Sequence, residues 1–237
     1  MSRALAIETS GRIGSIAIVE NAKVLFEEQF AHGLQHAAQI IPIIDQLCRK
    51  HGWKPGDVEE LHVSAGPGSF TGLRIGITLA KTMALATGVK LVAVPSVRVL
   101  VENAPAEARQ VIIVLDAKRE QIFTARFERA PGGEQAEWIE REPAHLDDLR
   151  SMLSRSGRPV HLLGEGIPYH EQFIPKQDAG IIVTSEDSWR ARASSVAKIG
   201  LEMSARSEFA DPLMLTPIYI RRPEAEEKME IAEQKKK

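Results

Sequence analysis

The sequence predicts an α/β protein of two lobes, each a mixed sheet flanked by helices, on three observations. Three short apolar or alternating runs open the chain, helix and strand patterns then alternate, and a second set of strand runs begins after a break at Asn103-Ala104-Pro105.

Residues 3–9, 13–19 and 23–30 are split by Ser10-Gly11 and Asn21-Ala22, turn-forming pairs that predict an antiparallel meander. From His36 to Lys50, Ile40, Ile43, Ile44 and Leu47 recur at helical spacing. Pro42 lies inside this pattern, and because its ring lacks a donor and crowds the preceding turn, it predicts a late start or a kink. Residues 60–64 read as a fourth strand, 71–87 as a second helix, 91–94 as a fifth strand and 96–103 as a third helix. The order βββαβαβα is that of the ribonuclease-H-like lobe from which actin-like ATPase and sugar-kinase folds are built. In the second lobe, strands are expected at 111–115, 121–128, 160–163 and 180–183. A turn and polar stretch starts at Pro131-Gly132-Gly133, with helices near 145–154 and 189–207. The expected division is a first lobe over 1–104 and a second over 105–220, whose last helix can pack back on the first. Residues 221–237 are charged and poor in large apolar side chains, which predicts a disordered or fraying tail.

Composition narrows the function. With 43% hydrophobic residues among 237, the chain can bury a real core. Lys+Arg 30 against Asp+Glu 32 leaves a net charge of -2, no basic excess of the kind that neutralises many phosphates at once. A single cysteine, Cys48, excludes an intramolecular disulfide and any multi-thiolate metal site within one chain. The apolar run from Ala4 to Ile7 meets Glu8 at once, too short for a signal sequence, and no window reaches membrane-spanning length. A cytoplasmic protein is expected.

Two segments invite a chemical reading. Glu8, Thr9, Ser10 and Gly11 close the first strand, where backbone N–H groups could cradle a phosphate of an adenine nucleotide while the carboxylate orients hydrated Mg²⁺. An ordinary hairpin turn needs the same small polar residues. In GPGSFTGLRIG, residues 66–76, Gly66 and Gly68 bend the chain around Pro67 and Ser69 or Thr71 can cap the following helix, whose free N–H groups favour an anion. The P-loop lysine is missing, so a phosphate there would rest on backbone dipoles and Arg74, and a plain strand-to-helix turn accounts for the motif equally.

The second helix says more. At about 100° per residue its apolar positions cover an arc of about 200°, twice the stripe one core contact requires. Gly72, Gly76, Ala80 and Ala84 fall at successive i+4 positions, a ridge of small residues that lets another helix approach, flanked by Leu73 and Ile77. The preceding helix is similarly broad, with Ile40, Ile41, Ile43, Ile44, Leu47 and Cys48 spread around much of its circumference and His36 at its start. Together they predict a helical docking face for another subunit, against the alternative that both helices are sandwiched within the chain. His32 and His36 have the spacing of two ligands on one helix face but lack a third, and read as a structural or solvated pair. Asp116, at the end of a strand, suits either a catalytic acid or a turn.

Taken in order, LAIETS (5–10), HAAQIIPII (36–44), AGPGSFTGLRIGITLAKTMAL (65–85), VPSVRVL (94–100), LDAKREQIF (115–123), GEG (164–166) and PIYIRR (217–222) resemble the TsaB (YeaZ) family across almost the whole chain. The resemblance implies a degenerate member of the actin-like class that serves as a partner and dimerisation platform for a catalytic paralogue, TsaD. That paralogue, with the ATPase subunit TsaE, transfers threonylcarbamoyl from its adenylate to N6 of adenosine 37 in tRNAs reading codons that begin with A. The resemblance also places an inter-subunit helix bundle on His36 to Leu47 and Gly72 to Leu85, and a homodimer when the chain is alone. Glu8 departs from the Asp that many members carry, and no metal is carried over.

The rival is an active superfamily member, a small-molecule kinase or a metallopeptidase-like enzyme. A kinase of this class needs a second phosphate loop of the DxGxxT kind, and the nearest stretch, LLGEGIPY, lacks the acid before its first glycine and the hydroxyl after its second. A ribonuclease-H-type nuclease needs carboxylates from several strands, yet the fourth strand ends in Ser64-Ala65-Gly66. A peptidase lacks a complete metal set. No catalytic residues are assigned.

Overall fold

The computed structural model describes residues 2–30, 35–133 and 136–221. Two five-stranded sheets form its frame. The first contains β1 (Arg3–Glu8), β2 (Gly14–Glu20), β3 (Lys23–Phe30), β4 (Glu60–Gly66) and β5 (Lys90–Pro95), in the spatial order β3-β2-β1-β4-β5. The second contains β6 (Gln110–Asp116), β7 (Ile122–Arg129), β8 (Trp138–Asp147), β9 (Val160–Leu163) and β10 (Ile181–Val183), in the order β10-β9-β6-β7-β8. In each sheet the first strand pairs antiparallel with the second and parallel with the fourth. The two lobes are therefore one topology used twice, the ribonuclease-H-like pattern that the meander and alternation predict.

Helices α1 (Gln35–Lys50) and α2 (Phe70–Thr87) cover the outer face of the first sheet, and α4 (Leu149–Arg155) and α5 (Ile167–His170) that of the second. Between the sheets lie α3 (Ser96–Val101) and α6 (Ala193–Ala205), whose Val97, Leu100, Val196 and Ile199 share one buried cluster with Ala6, Val92, Ile113 and Phe127 of the two sheets. This apolar layer, built from both lobes, is the largest hydrophobic contribution to holding them together. Helix α6 packs against β1, β2, β4 and β5 of the first sheet. Gly200 brings it close: a Cβ there would run into the ring of buried His62. Glu60 joins the two elements, bonded to His62 Nε2 at 3.0 Å and to Ser204 Oγ at 2.6 Å.

Three local expectations are corrected. Helix α1 does not start late: it begins at Gln35 and runs on through Pro42. Pro42 is exposed, so the Ala38 carbonyl that loses its helical donor lies on the side where water can reach. The polar stretch before residue 145 contains strand β8, and the helix expected near 145–154 begins only at Leu149, capped by the Asp148 side chain. Strand β8 escapes sequence reading because it is an edge strand held by cross-strand charge, Arg126 to Glu142 at 2.7 Å and Arg141 to Glu128 at 2.8 Å, and Pro143 is accommodated at a register shift. The last helix begins at Ala193 instead of 189, because its first N–H is taken at 2.8 Å by Ser15 Oγ and Glu27 Oε1 of the other lobe. No helix among the described residues is long and apolar enough to cross a membrane. The tail expectation for 222–237, His32 and the side chain of His36 lie outside what is described, although His36 stands in α1.

Candidate functional site

The turn that ends β1 is closed. Glu8 and Thr9 are fully buried and Ser10 nearly so. The Ser10 N–H donates to the Glu8 carboxylate, and the Thr9 N–H donates to Ser64 Oγ at 3.4 Å. Burial pushes the Glu8 carboxyl up to about 6, with hydrogen bonds from Ser10 and Ser64 pulling the other way and the nearby Glu165 carboxylate adding to the rise. A group so placed does not reach a hydrated ion in a cleft.

The glycine loop is equally full. Gly66, at φ 109°, passes beneath the strap of chain that returns past β4: a Cβ there would stand 2.9 Å from the Ile218 carbonyl. At Gly68 a Cβ would strike the Ser10 carbonyl, to which Ser69 N donates at 2.7 Å. Ser69 Oγ in turn accepts from Gly72 N at 3.2 Å and is the cap; Thr71 is exposed and makes no such bond. Two donors an anion would use at the start of α2 are thus taken by the chain itself.

In the second lobe, the loop Gly164-Glu165-Gly166 packs on the end of β6. A Cβ at Gly166 would be 2.5 Å from Asp116 N, and Gly166 N donates to the Val114 carbonyl at 2.9 Å. Glu165 projects across to the first lobe, where its Oε2 accepts from Arg12 N at 2.9 Å. Beside it lies a cleft of about 330 Å³ lined by Arg12, Ile13, Pro168, Trp189 and Arg190. A phosphate placed between the two turns would face Glu165 and find the Arg12, Ser69 and Gly72 N–H groups already engaged. Of the expected nucleotide-binding loop residues Glu8, Thr9, Ser10, Gly66, Gly68, Ser69 and Thr71, all but the exposed Thr71 are packed against or hydrogen-bonded to other parts of the chain. Asp116 is a partnered turn residue: burial raises its pKa, but Lys118, with Nζ at 2.9 Å, and His170 at 3.3 Å hold it below the usual range. Among the described residues no three His, Cys, Asp or Glu side chains converge as a metal set.

The small-residue ridge of α2 faces inward, a correction to the expected docking face. Gly72 and Gly76 lie on Thr9, the first against its carbonyl and the second against its hydroxyl, so closely that neither has room for a Cβ. Ala80, Ala84 and Ile77 belong to the cluster that α1 and α2 form with the first sheet, together with Ile40, Ile44 and Leu47; Leu73 is buried as well. The ridge does allow close approach of a backbone, but it is that of Thr9, just past β1 in the same chain. What α1 and α2 show to solvent is Ile41 (60% exposed), Phe70 and Leu85 (59%), with Ile43, Ile75 and Leu79 half-buried.

A strap over residues 206–221 extends this surface. It bridges the edge of β5 at Leu91, and Ile218 N donates to the Ala65 carbonyl at 2.7 Å. Lys81 Nζ on α2 grips it at the Leu215 carbonyl, 2.9 Å, and Arg74 Nε donates to Tyr219 Oη at 3.0 Å. A turn at Asp211, whose Oδ1 accepts from Leu213 N at 2.8 Å, displays Leu213 and Met214 at 71% and 75% exposure. Sequence reading missed these residues. The apolar run from Leu213 to Ile220 was their one signal, and it has neither helical nor strand period.

Comparison with known proteins gives concordant results. The family model for TsaD, tRNA N6-adenosine threonylcarbamoyltransferase, matches residues 31–141. The tRNA threonylcarbamoyladenosine biosynthesis protein TsaB of Bacillus subtilis is 32% identical over 94% of this chain and 96% of its own length. The protein of the same name from Escherichia coli is 24% identical over 92% and 94%. Among solved structures, YeaZ from Pseudomonas aeruginosa superposes with a TM-score of 0.76 at 22% identity, covering 92% of this chain and all of that one.

Proposed function

The chain belongs to the TsaB family of tRNA threonylcarbamoyladenosine biosynthesis proteins, and from that premise we propose that it is a non-catalytic docking platform in the complex that places threonylcarbamoyl on N6 of adenosine 37. The observation that carries this reading is the crowded junction of the two lobes, where the Glu165 carboxylate stands at the remaining cleft. Ser10, Ser69 and Glu165 take up the N–H groups of Ser69, Gly72 and Arg12 that face this junction. The other distinctive surface is the outward side of α1, α2 and the strap, where apolar side chains stand exposed. The partner we assign to it is the catalytic paralogue TsaD, joined by TsaE, with tRNA held through the complex in the cytoplasm. A homodimer forms through the same face when the paralogue is absent.

The test is reconstitution. Threonylcarbamoyl transfer to tRNA by TsaD and TsaE is expected to fall to background without this chain, and the chain alone is expected to have none. Turnover by the purified chain that survives repurification and is lost with Glu8→Ala would refute the platform reading. The surface assignment has its own check. Leu85→Glu and Met214→Glu, both at well-exposed positions, should weaken association with TsaD at least tenfold, about 1.4 kcal/mol, while the melting temperature stays unchanged. Unaltered affinity in both variants would remove this face from the interface.

A further inference from the structure

We propose that Glu165 is a latch that ties the lobes together across the interlobe cleft and steadies the start of α2 at the same time. Its carboxylate comes from a loop that cannot recede, because both flanking glycines lie against the backbone of β6. Across the cleft it takes the N–H of Arg12 at 2.9 Å and lies against Gly11, where a Cβ would be 3.3 Å from the same oxygen. An ionised acceptor on a backbone N–H is a strong form of hydrogen bond, and the short, rigid loops on both sides lose little freedom in making it.

The receiving turn is itself shared. Two residues before Arg12, the Ser10 carbonyl accepts Ser69 N at 2.7 Å, and one residue earlier Thr9 supports Gly72 and Gly76 of α2. Glu165, Arg12, Ser10 and Ser69 thus form a continuous path of hydrogen bonds and peptide units from the second lobe to the cap of α2. Tyr169, in the helix just after the latch, adds a second contact in the same direction: the Arg12 guanidinium lies 5.1 Å from its ring centre. Release of Glu165 leaves the turn tied to the second lobe only by the weaker Arg12–Tyr169 contact and loosens the Ser10–Ser69 bond behind it.

Hydrogen exchange on the full chain reads both ends of the path. In Glu165→Ala the Arg12 and Ser69 amides should exchange at least tenfold faster. Spin labels at Thr78→Cys and Gln172→Cys, exposed positions on opposite lobes, in a Cys48→Ala background, should report a longer and broader distance. Glu165→Gln, which keeps a carbonyl oxygen as acceptor, should fall between wild type and Glu165→Ala, and it decides the matter if the alanine variant does not fold. Glu186→Gln, a charge removed from the same cleft, should change neither quantity. Unchanged Arg12 exchange overturns the proposal. So does faster exchange at Arg12 with the label distance and Ser69 unaltered, which makes the contact local, and so does an equal response to Glu186→Gln, which makes it a general effect of charge.

Discussion

Gly72→Ala lowers the stability of the isolated chain by about 3 kcal/mol, in the upper range for overpacking a close contact. In an exposed helix the same change would stabilise by about 1 kcal/mol, since alanine has the higher helix propensity. Here the added methyl lands on the Thr9 carbonyl, a buried backbone atom in the turn just after β1, with the Ser69 hydroxyl 3.3 Å away on another side. Neither neighbour is the far end of a flexible side chain, so α2 itself must move off the sheet. For a chain of this length the melting temperature should drop by roughly 6–12 °C. Association with TsaD, measured well below the new melting point, should be retained, because Gly72 lies under α2 and the docking surface lies over it. A variant with wild-type melting temperature and lost association would restore the ridge to the interface.

Glu8→Gln stabilises the protein at neutral pH by about 2 kcal/mol. Burial raises the folded-state pKa from 4.5 to about 6, whereas in the unfolded chain the group returns to its ordinary value. Between those two values the folded state binds more protons than the unfolded, so stability falls as pH rises through the window and the whole cost is present above it; each tenfold difference in proton affinity between the two states is worth about 1.4 kcal/mol. Below pH 4.5 Glu8 is neutral in both states and the variant gains nothing. The replacement keeps an oxygen for the Ser10 N–H, and its amide hydrogens have the hydroxyl of Ser64 beside them. Denaturant titrations of both proteins from about pH 4 to 8 supply the check: parallel stability curves across that range would show that Glu8 is not the titrating group. Cleft carboxylates kept ionised by cations behave oppositely, Asp116 among them, and account for losses in more acidic solution.

These two positions show where sequence reading is strong and where it fails. The meander, the alternation and the small-residue ridge were legible because each is a local periodicity, and all three correspond to real elements. The direction of the ridge was not. An apolar arc of about 200° says that α2 is touched on two sides, but not which side belongs to the same chain, because the covering strap arrives more than 100 residues later. Strand β8 was lost for a related reason: its partners Arg126 and Glu128 stand on the neighbouring strand, and its own sequence, with Pro143 and four charges from Glu140 to Asp147, carries no apolar alternation. Glu165 read as part of a failed phosphate loop; only the approach of Arg12, 153 positions away in the chain, gives it a role.

The placement of α6 bears on how the chain comes to be folded at all. The inner face of the first sheet is complete only when Val196, Ala197 and Ile199 lie on it, yet these residues emerge from the ribosome about 100 positions after β5. Until then Ala4, Ala6, Val92 and Val94 have an uncovered flank. The N-terminal lobe is therefore not a unit that can be synthesised, folded and set aside while the rest follows. A chain truncated before Ala193 would leave that apolar sheet face without its cover.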